Sequence, residues 1–505
     1  MSSDPRLSDA RAAIVAGDWA RARGLFDELV RSTDAAEAWE GLAEAAWLQQ
    51  DARLMIDARL AAYQRYRACG EAVAAARMAV ALGNDFLDFR GDAAVANGWF
   101  KRARRLLEAL PPSAEHARLS VWEARLALIG RHDIAAGLRL AQEGLSLARA
   151  ADCTDAEVLG MAMNGLALVM DAKSDEGLAL LDEAAAAALG GDVSDAYAAG
   201  LTCCYLISAC DRVRDYERAA QWCARLREFS TRQRFTVLLT TCRLQYGSVL
   251  TSRGAWDDAD AELQAAIADL KESRPVVLPA AYARLGELRR RQGRTDEALE
   301  LFQLAGTHPI ALLGGAWVDL ERGNPAPALE RVRAYLRRFS EDALLERAPA
   351  NEVLVRIAVA CGAPADAWAA LRELECAAER HSLPLLRAAV LAARGVLADA
   401  DGESVRAAEL MEDAAALYDA AGNAWEAAAA RRSLAPRVEA ANGTLTRREL
   451  EVLRLVAGGL SEREVADRLF ISPHTAHRHL SNIRLKLGAA TQAAAVAHAH
   501  RVGWL

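Results

Sequence analysis

The 505-residue sequence is poor in aromatic residues and in proline. Aromatic residues make up only 6% of it, and it has 13 prolines. Hydrophobic residues, among which alanine dominates, make up 53% and charged residues 26%, so the chain has enough apolar surface to fold. An alanine-rich, aromatic-poor composition favours helix-on-helix packing over strands. The low proline content argues against a disordered chain, and the alanine-rich, aromatic-poor composition predicts an all-α fold.

Cysteine pairs and long apolar runs are also missing. None of the nine cysteines lies in a Cys-x-x-Cys pair, so no zinc or redox motif, and no metal site, is expected. The longest run without a charged residue, 301–318, contains Gln303 and Pro309 and is a poor candidate to cross a bilayer. Asp4 and Arg6 interrupt any secretory apolar segment at the start. We expect a cytoplasmic protein without membrane contact.

Catalytic motifs are equally scarce. The dipeptide Gly-Lys never occurs, which excludes a phosphate-binding P-loop. No His-Glu-x-x-His motif, nucleophile elbow or group of catalytic carboxylates stands out. We therefore expect neither enzymatic activity nor a bound cofactor.

A repeat is present instead. A small turn residue, or a substitute for it, is followed five positions later by alanine, at spacings of 40, 39, 30, 39 and 40 from residue 214 onward. The pairs are Gly17 with Ala22, Gly98 with Ala103, Gly130 with Ala135, Arg214 with Ala219, Gly254 with Ala259, Gly293 with Ala298, Gly323 with Ala328, Gly362 with Ala367 and Gly402 with Ala407. The first residue turns the chain between two antiparallel helices, and the alanine lets the second helix approach closely.

This pattern resembles a degenerate tetratricopeptide (TPR) array, with units nearer 40 residues than the usual 34. It predicts a TPR-like α-solenoid of antiparallel helix hairpins over residues 1–435, a class that binds a protein partner or a small effector. Aromatic residues after the turns, such as Trp19 and Tyr216, fit hairpin packing or, as the less favoured alternative, a ligand-binding track. The charged string 289–291 is typical of a solvated helix face.

The C-terminal 65 residues differ from the rest in charge. Residues 441–505 hold nine Lys and Arg against five Asp and Glu, a local charge of +4, whereas the other 440 residues carry −12. A basic segment after an acidic body suits a reader of polyanions. Pro436 ends the array, and residues 436–443 form a predicted linker.

Helix start signals divide residues 444–505 into four helices. Thr446 with Glu449, and Ser461 with Glu464, are capping boxes, and Ser472 and Thr491 are further predicted caps. The predicted inward-facing residues are Leu450, Val452, Leu453, Val456 and Ala457, then Val465, Ala466 and Leu469, then Ala476, Leu480, Ile483 and Leu487.

The same segment resembles the LuxR-type helix-turn-helix domain over about 60 residues. The resemblance is carried by Leu445-Thr446, Arg448-Glu449, Glu451-Val452-Leu453, Gly458, Ser461, Glu464-Val465-Ala466, Leu469, Ser472, Thr475, His479, Asn482-Ile483 and Lys486-Leu487-Gly488. It implies a small four-helix domain, with the helix-turn-helix motif at about 462–481, that binds double-stranded promoter DNA. It also implies a homodimer paired through the fourth helix.

Carried over residue by residue, the resemblance implies which side chains contact DNA. His477, Arg478 and Ser481 would face base edges in the major groove. The predicted phosphate contacts are Ser472, Thr475, Arg484 and Lys486. His479, which lies beside the apolar stripe, is expected to be structural.

Three positions depart from the family pattern. Ala476 replaces a valine, His477 replaces a commoner lysine, and Gln492 stands where an arginine is frequent. Because the P-loop signature and any strand-rich pattern are missing from this sequence, we expect it to contain no ATPase, receiver or autoinducer-binding domain of the kinds found in other LuxR-type regulators. The favoured function is a DNA-binding transcription regulator, and the alternative is a TPR-type interaction scaffold whose helix-turn-helix domain no longer binds DNA. A regulator of another enzyme, without chemistry of its own, is a weaker third option.

Overall fold

The computed structural model describes residues 4–233, 236–433, 445, 447–469, 471, 473–487, 489 and 491–501. None of these residues lies in a strand, which confirms the all-α prediction. The first 23 helices are α1 Pro5–Val15, α2 Trp19–Thr33, α3 Ala36–Leu48, α4 Ala52–Ala68, α5 Ala72–Asp85, α6 Ala93–Leu107, α7 Ala114–Arg125, α8 Ile134–Ala150, α9 Thr154–Met170, α10 Ser174–Gly190, α11 Ala196–Val213, α12 Tyr216–Gln233, α13 Thr236–Arg253, α14 Trp256–Ser273, α15 Leu278–Arg291, α16 Thr295–Ala305, α17 Pro309–Glu321, α18 Pro325–Leu336, α19 Leu344–Ala360, α20 Pro364–His381, α21 Pro384–Ala400, α22 Ser404–Ala420 and α23 Ala424–Arg432. The C-terminal helices are α24 Arg447–Ala457, α25 Glu462–Leu469, α26 Pro473–Lys486 and α27 Gln492–Arg501.

The first 23 helices stack as antiparallel hairpins. Each helix packs on the next one in the chain. Odd-numbered helices also contact one another: α9 contacts α11, and α15 contacts α17. Two π-helical turns, Phe86–Arg90 and Leu126–Gly130, extend α5 and α7. The odd-numbered helices from α5 to α21 therefore form a continuous inner layer, and the predicted hairpin array is confirmed.

Left-handed residues turn the chain between helices, mostly where the repeat pattern places them. Gly17, Gly254, Gly293, Gly323, Gly362 and Gly402 have φ between +68° and +86°, and Arg214 has φ +60°. The predictions at Gly98 and Gly130 are wrong, because Gly98 lies inside α6 and Gly130 ends the π turn after α7. The turns there are made by Gly91, with φ +72°, and His132, with φ +53°.

Small residues set the distance between paired helices. Ala22, Ala298 and Ala407, each five residues after its turn, are fully buried. A Cβ on Gly41 of α3 would lie 2.1 Å from Cε1 of Phe26 on α2, so only glycine fits there. Such close approach gives dense packing without large side chains, which is how a chain with 6% aromatic residues builds its core.

Contacts between helices far apart in the sequence curl the array on itself. Arg212 of α11 is paired with Glu346 of α19 at 2.6 Å, and Arg291 of α15 is paired with Glu426 of α23 at 2.8 Å. The paired residues lie 134 and 135 positions apart in the sequence. The prediction that 289–291 is a solvated face is wrong, since the side chains of Arg289 and Arg290 are only 6% and 4% exposed.

No helix in the described part of the chain is long and apolar enough to cross a membrane.

Candidate nucleic-acid interface

The four C-terminal helices enclose one small apolar core. Helix α26 packs on both α24 and α25, and α27 closes the unit against α24 and α26. The buried residues are Val452, Leu453, Val456, Val465, Ala466, Ala476, Leu480, Ile483, Leu487, Ala495 and Ala499. The predicted stripe of α26 is fully confirmed. On α24, however, Ala457 is exposed, because it is the last residue of the helix and the chain turns away after it.

Local hydrogen bonds explain where these helices begin and end. The backbone N–H of Ser461 donates to Glu464 at 2.8 Å, and the N–H of Glu464 lies 3.4 Å from the Ser461 hydroxyl. This confirms the capping box that starts α25. The N–H of Ala494 donates to the Thr491 hydroxyl at 3.1 Å, which confirms that cap. Thr446, the other predicted cap, lies outside the described residues.

Helix α26 turns a polar face away from the core. His477, Arg478 and Asn482 are exposed, whereas Thr475 and Ser481 are half-buried. Ser472, a predicted phosphate contact, lies outside the described residues. In the sequence, Asn482 belongs to the family pattern but is not among the predicted DNA contacts. Its exposure beside Arg478, one helical turn on, adds it to the candidate face.

The His477 side chain is tied to the preceding helix. Its Nδ1 lies 3.0 Å from Oε2 of Glu462 on α25, and both side chains are solvent-exposed, at 59% and 43%. The contact orients the imidazole but also places a carboxylate on the face that was predicted to meet DNA. Sequence spacing gave no sign of this pair, because it joins two helices.

The ammonium of Lys486 is already engaged inside the unit. Its Nζ donates to Oε2 of Glu449 at 2.6 Å, and the two side chains are 14% and 5% exposed. The pair fastens the end of α26 to the start of α24. The phosphate contact of Lys486 stays a prediction, although this pairing argues against it. Arg484 is half-buried.

Two further residues support the shape of the unit. Arg448 donates to the carbonyl of Leu469 at 2.9 Å, so its guanidinium holds the last residue of α25 just before α26 begins. His479 is half-buried. Burial lowers the pKa of its imidazole, as desolvation disfavours a charged ring. This agrees with a structural position beside the apolar stripe.

These features define the class of protein. A short helix, a turn and a second helix with an exposed polar face, held on a common core, form the helix-turn-helix unit of transcription regulators. Residues 443–499 match the family described as bacterial regulatory proteins, luxR family. The C-terminal unit is therefore a LuxR-type helix-turn-helix domain, and the predicted resemblance is confirmed.

Known relatives are transcription regulators. A protein assigned as an HTH-type transcriptional regulator in Mycobacterium bovis, Mb0914c, is 32% identical over 207 residues, which cover 38% of this chain and 22% of that protein. The transcriptional regulatory protein LiaR of Bacillus subtilis is 41% identical over 58 residues, 12% of this chain and 28% of LiaR. The chain thus spans only about a fifth of the length of the Mycobacterium bovis protein.

A distant likeness to a solved structure spans nearly the whole chain. A chain in the crystal structure of the APC/C hetero-tetramer Cut9–Hcn1 is 14% identical, with a TM-score of 0.46, over 99% of this chain and 96% of that one. A likeness this distant supports no inference about function.

Proposed function

We propose that the protein is a DNA-binding transcription regulator whose α26 enters the major groove of promoter DNA. The observation that carries the proposal is the outward face of α26, where His477, Arg478 and Asn482 are exposed over a closed core. An arginine on such a face can bond guanine O6 and N7 in bidentate fashion. We assign base contacts to His477, Arg478 and Ser481, and phosphate contacts to Ser472, Thr475 and Arg484.

The rest of the chain has a separate role in this proposal. Residues 1–435 form the sensor, which binds a protein partner or small effector, residues 436–443 are the linker, and residues 444–505 bind DNA in the cytoplasm. Two copies pair through α27, where exposed alanines at 493, 494 and 497 offer a flat face for close helix packing. The two copies of α26 would then lie one duplex turn apart, about 34 Å.

The proposal is tested by selecting DNA from a random pool with the full chain and measuring binding of the selected sequence against scrambled DNA. A regulator binds the selected sequence roughly 1000-fold or more tightly than scrambled DNA. Equal binding to both would contradict it.

A second function, an interaction scaffold without DNA binding, is favoured by one observation. The Glu462 carboxylate lies 3.0 Å from His477 on the proposed interface, where it would repel phosphates. The salt dependence of DNA binding separates the two functions. Each neutralised phosphate contributes about −0.9 to the slope of log K against log salt concentration. A scaffold would show no DNA binding at any salt concentration.

A further inference from the structure

The curled array forms a cavity of about 1080 Å³ that is partly open to solvent. The wall is made mainly by the inner helices α11, α13, α15, α17, α19, α21 and α23. The Arg212–Glu346 and Arg291–Glu426 pairs, at 2.6 and 2.8 Å, join opposite parts of this wall. Ligand pockets usually measure about 300–1000 Å³. The cavity is therefore large enough for an organic molecule of considerable size.

The wall of this cavity is rich in arginine. Eight arginines and six acidic residues line it, an excess of two positive charges in a chain whose net charge is −8. Several of these charged side chains form ion pairs with other side chains of the wall. Burial opposes ionisation of Glu287, but the guanidinium groups of Arg290 and Arg291 outweigh it and lower the pKa of Glu287 to about 2.

Four of the eight arginines have no ion pair with a carboxylate among the described residues. Two of them, Arg338 and Arg432, are exposed, whereas Arg284 and Arg356 are half-buried. Nη1 of Arg284 donates to the carbonyl of Ala280 at 3.1 Å, and its buried Nε has no hydrogen-bond partner in the part of the chain that the structure describes. Arg356 lies with its guanidinium carbon 5.5 Å from the centre of the Trp317 ring. Both line the cavity, on either side of α17, which carries Trp317.

The electrostatics of these two arginines favour an incoming anion. Burial lowers the pKa of both guanidinium groups below the ordinary value, because removing a charged group from water costs free energy. A bound carboxylate or phosphate would form charge-assisted hydrogen bonds with donors that are already desolvated. Apolar and aromatic groups lie alongside, including Ile310, Leu313 and Trp317.

We propose that the cavity binds a small organic anion, with its carboxylate or phosphate held by Arg284 and Arg356 and its apolar or aromatic body against Trp317 and Leu313. The last helix of the array, α23, also lines the cavity with Trp425, Glu426 and Arg432, and the chain continues from it toward the C-terminal domain. A bound anion would therefore share its cavity with the last helix of the array. Only a regulatory effect on DNA binding would rest on the proposed function, whereas ligand binding itself does not.

Two fluorescent probes test the site in the full chain. One is 1-anilinonaphthalene-8-sulfonate, an aromatic anion, and the other is N-phenyl-1-naphthylamine, its neutral counterpart. We expect saturable binding of the sulfonate that Arg356→Gln and Arg284→Gln each weaken roughly tenfold or more, because each removes a hydrogen bond to a charged group. Binding of the neutral probe should change less than about twofold, as its aromatic contacts remain.

Arg406→Gln is the matched control, since Arg406 is exposed on α22, away from the cavity, and pairs with Glu403. Far-UV circular dichroism of each variant establishes that the array is folded. Equal sulfonate affinity in all variants, equal loss for both probes, or a loss in the control would each overturn the proposal. Displacement of the sulfonate by decanoate or by phenyl phosphate decides between a carboxylate and a phosphate ligand, and displacement by neither also overturns it.

The outcome is independent of DNA binding. Sulfonate binding that depends on Arg284 and Arg356 supports the site even if no DNA sequence is selected. If DNA binding holds and the arginine-dependent sulfonate binding is missing, only the anion site is wrong.

Discussion

Nδ1 of His477, on the outward face of α26, lies 3.0 Å from Oε2 of Glu462 on the preceding helix. The pair links the two helices of the helix-turn-helix motif at the surface proposed to meet DNA. In free protein the carboxylate holds the imidazole in place. In the proposed complex with DNA, the same carboxylate would approach the phosphate backbone and would therefore weaken the contact for which it orients His477.

Removing that carboxylate should strengthen DNA binding. Glu462→Gln keeps a hydrogen-bonding group beside His477 but deletes one negative charge, and exposed charge pairs are worth up to about 1 kcal/mol, so affinity should rise by up to about fivefold. Fluorescence anisotropy with the selected DNA measures this. Asp467→Asn, an exposed change on the same helix α25, controls for net charge. Weaker binding by Glu462→Gln would show that the carboxylate helps the complex.

Arg478→Ala should weaken specific binding and relax sequence preference. Arg478 is exposed on the outward face of α26, and loss of a bidentate contact to guanine costs about 1–3 kcal/mol. Affinities for the selected DNA and for single-base variants test this, with Arg406→Ala as control. Arg478→Ala binding with unchanged affinity and preference would remove Arg478 from the base contacts.

Lys486→Met should destabilise the C-terminal unit. Glu449, 5% exposed, would lose the ammonium at 2.6 Å, and breaking a buried ion pair by removing one partner costs on the order of 3 kcal/mol. Hydrogen exchange of α24 and α26 in the full chain measures the loss of stability. Replacing Glu449 with leucine in the same protein should largely restore the stability. Lys271→Met is the control. A normal exchange pattern with a shallower salt slope for DNA binding would instead make Lys486 a phosphate contact.

Stability of the helical array should fall in mild acid because of His308. Burial, together with the nearby Arg284 and Arg338, lowers the pKa of His308 to about 3. Since the unfolded imidazole has a pKa of about 6.5, the unfolded chain binds the proton first. The stabilisation is present above about pH 6.5 and is lost as pH falls toward 3.

Urea unfolding followed by tryptophan fluorescence at pH 7 and pH 5 tests this. His308→Gln should reduce the difference between the two midpoints, whereas His500→Gln, an exposed change on α27, should leave it as it is. An undiminished pH difference in His308→Gln would assign the acid sensitivity to other groups.

Local signals in the sequence predicted much of this molecule. The capping box at Ser461, the cap at Thr491 and the apolar stripe of α26 were all found from spacing, because each depends on residues within one or two helical turns. The turn positions at Gly98 and Gly130 were wrong because a glycine also fits inside a helix and His132 can adopt a left-handed conformation.

Features that depend on distant residues could not be predicted. Lys486 and Glu449 are 37 positions apart, and Arg212 and Glu346 are 134 apart. The buried string at 289–291 looks like any charged helix face until the array curls and brings Glu426 to it. Curvature accumulates from small rotations between many hairpins, and no single repeat encodes it.

The central claim is that α26 reads duplex DNA, and the salt dependence of binding to the selected sequence by the full chain tests it most directly. If Arg484 neutralises one phosphate in each subunit, log K should fall with log salt at a slope of about −0.9 or steeper per bound subunit. The slope should become shallower by about 0.9 in Arg484→Ala. A slope near zero, or no preference for the selected sequence at any salt concentration, would contradict the account and leave the protein as an all-helical interaction scaffold.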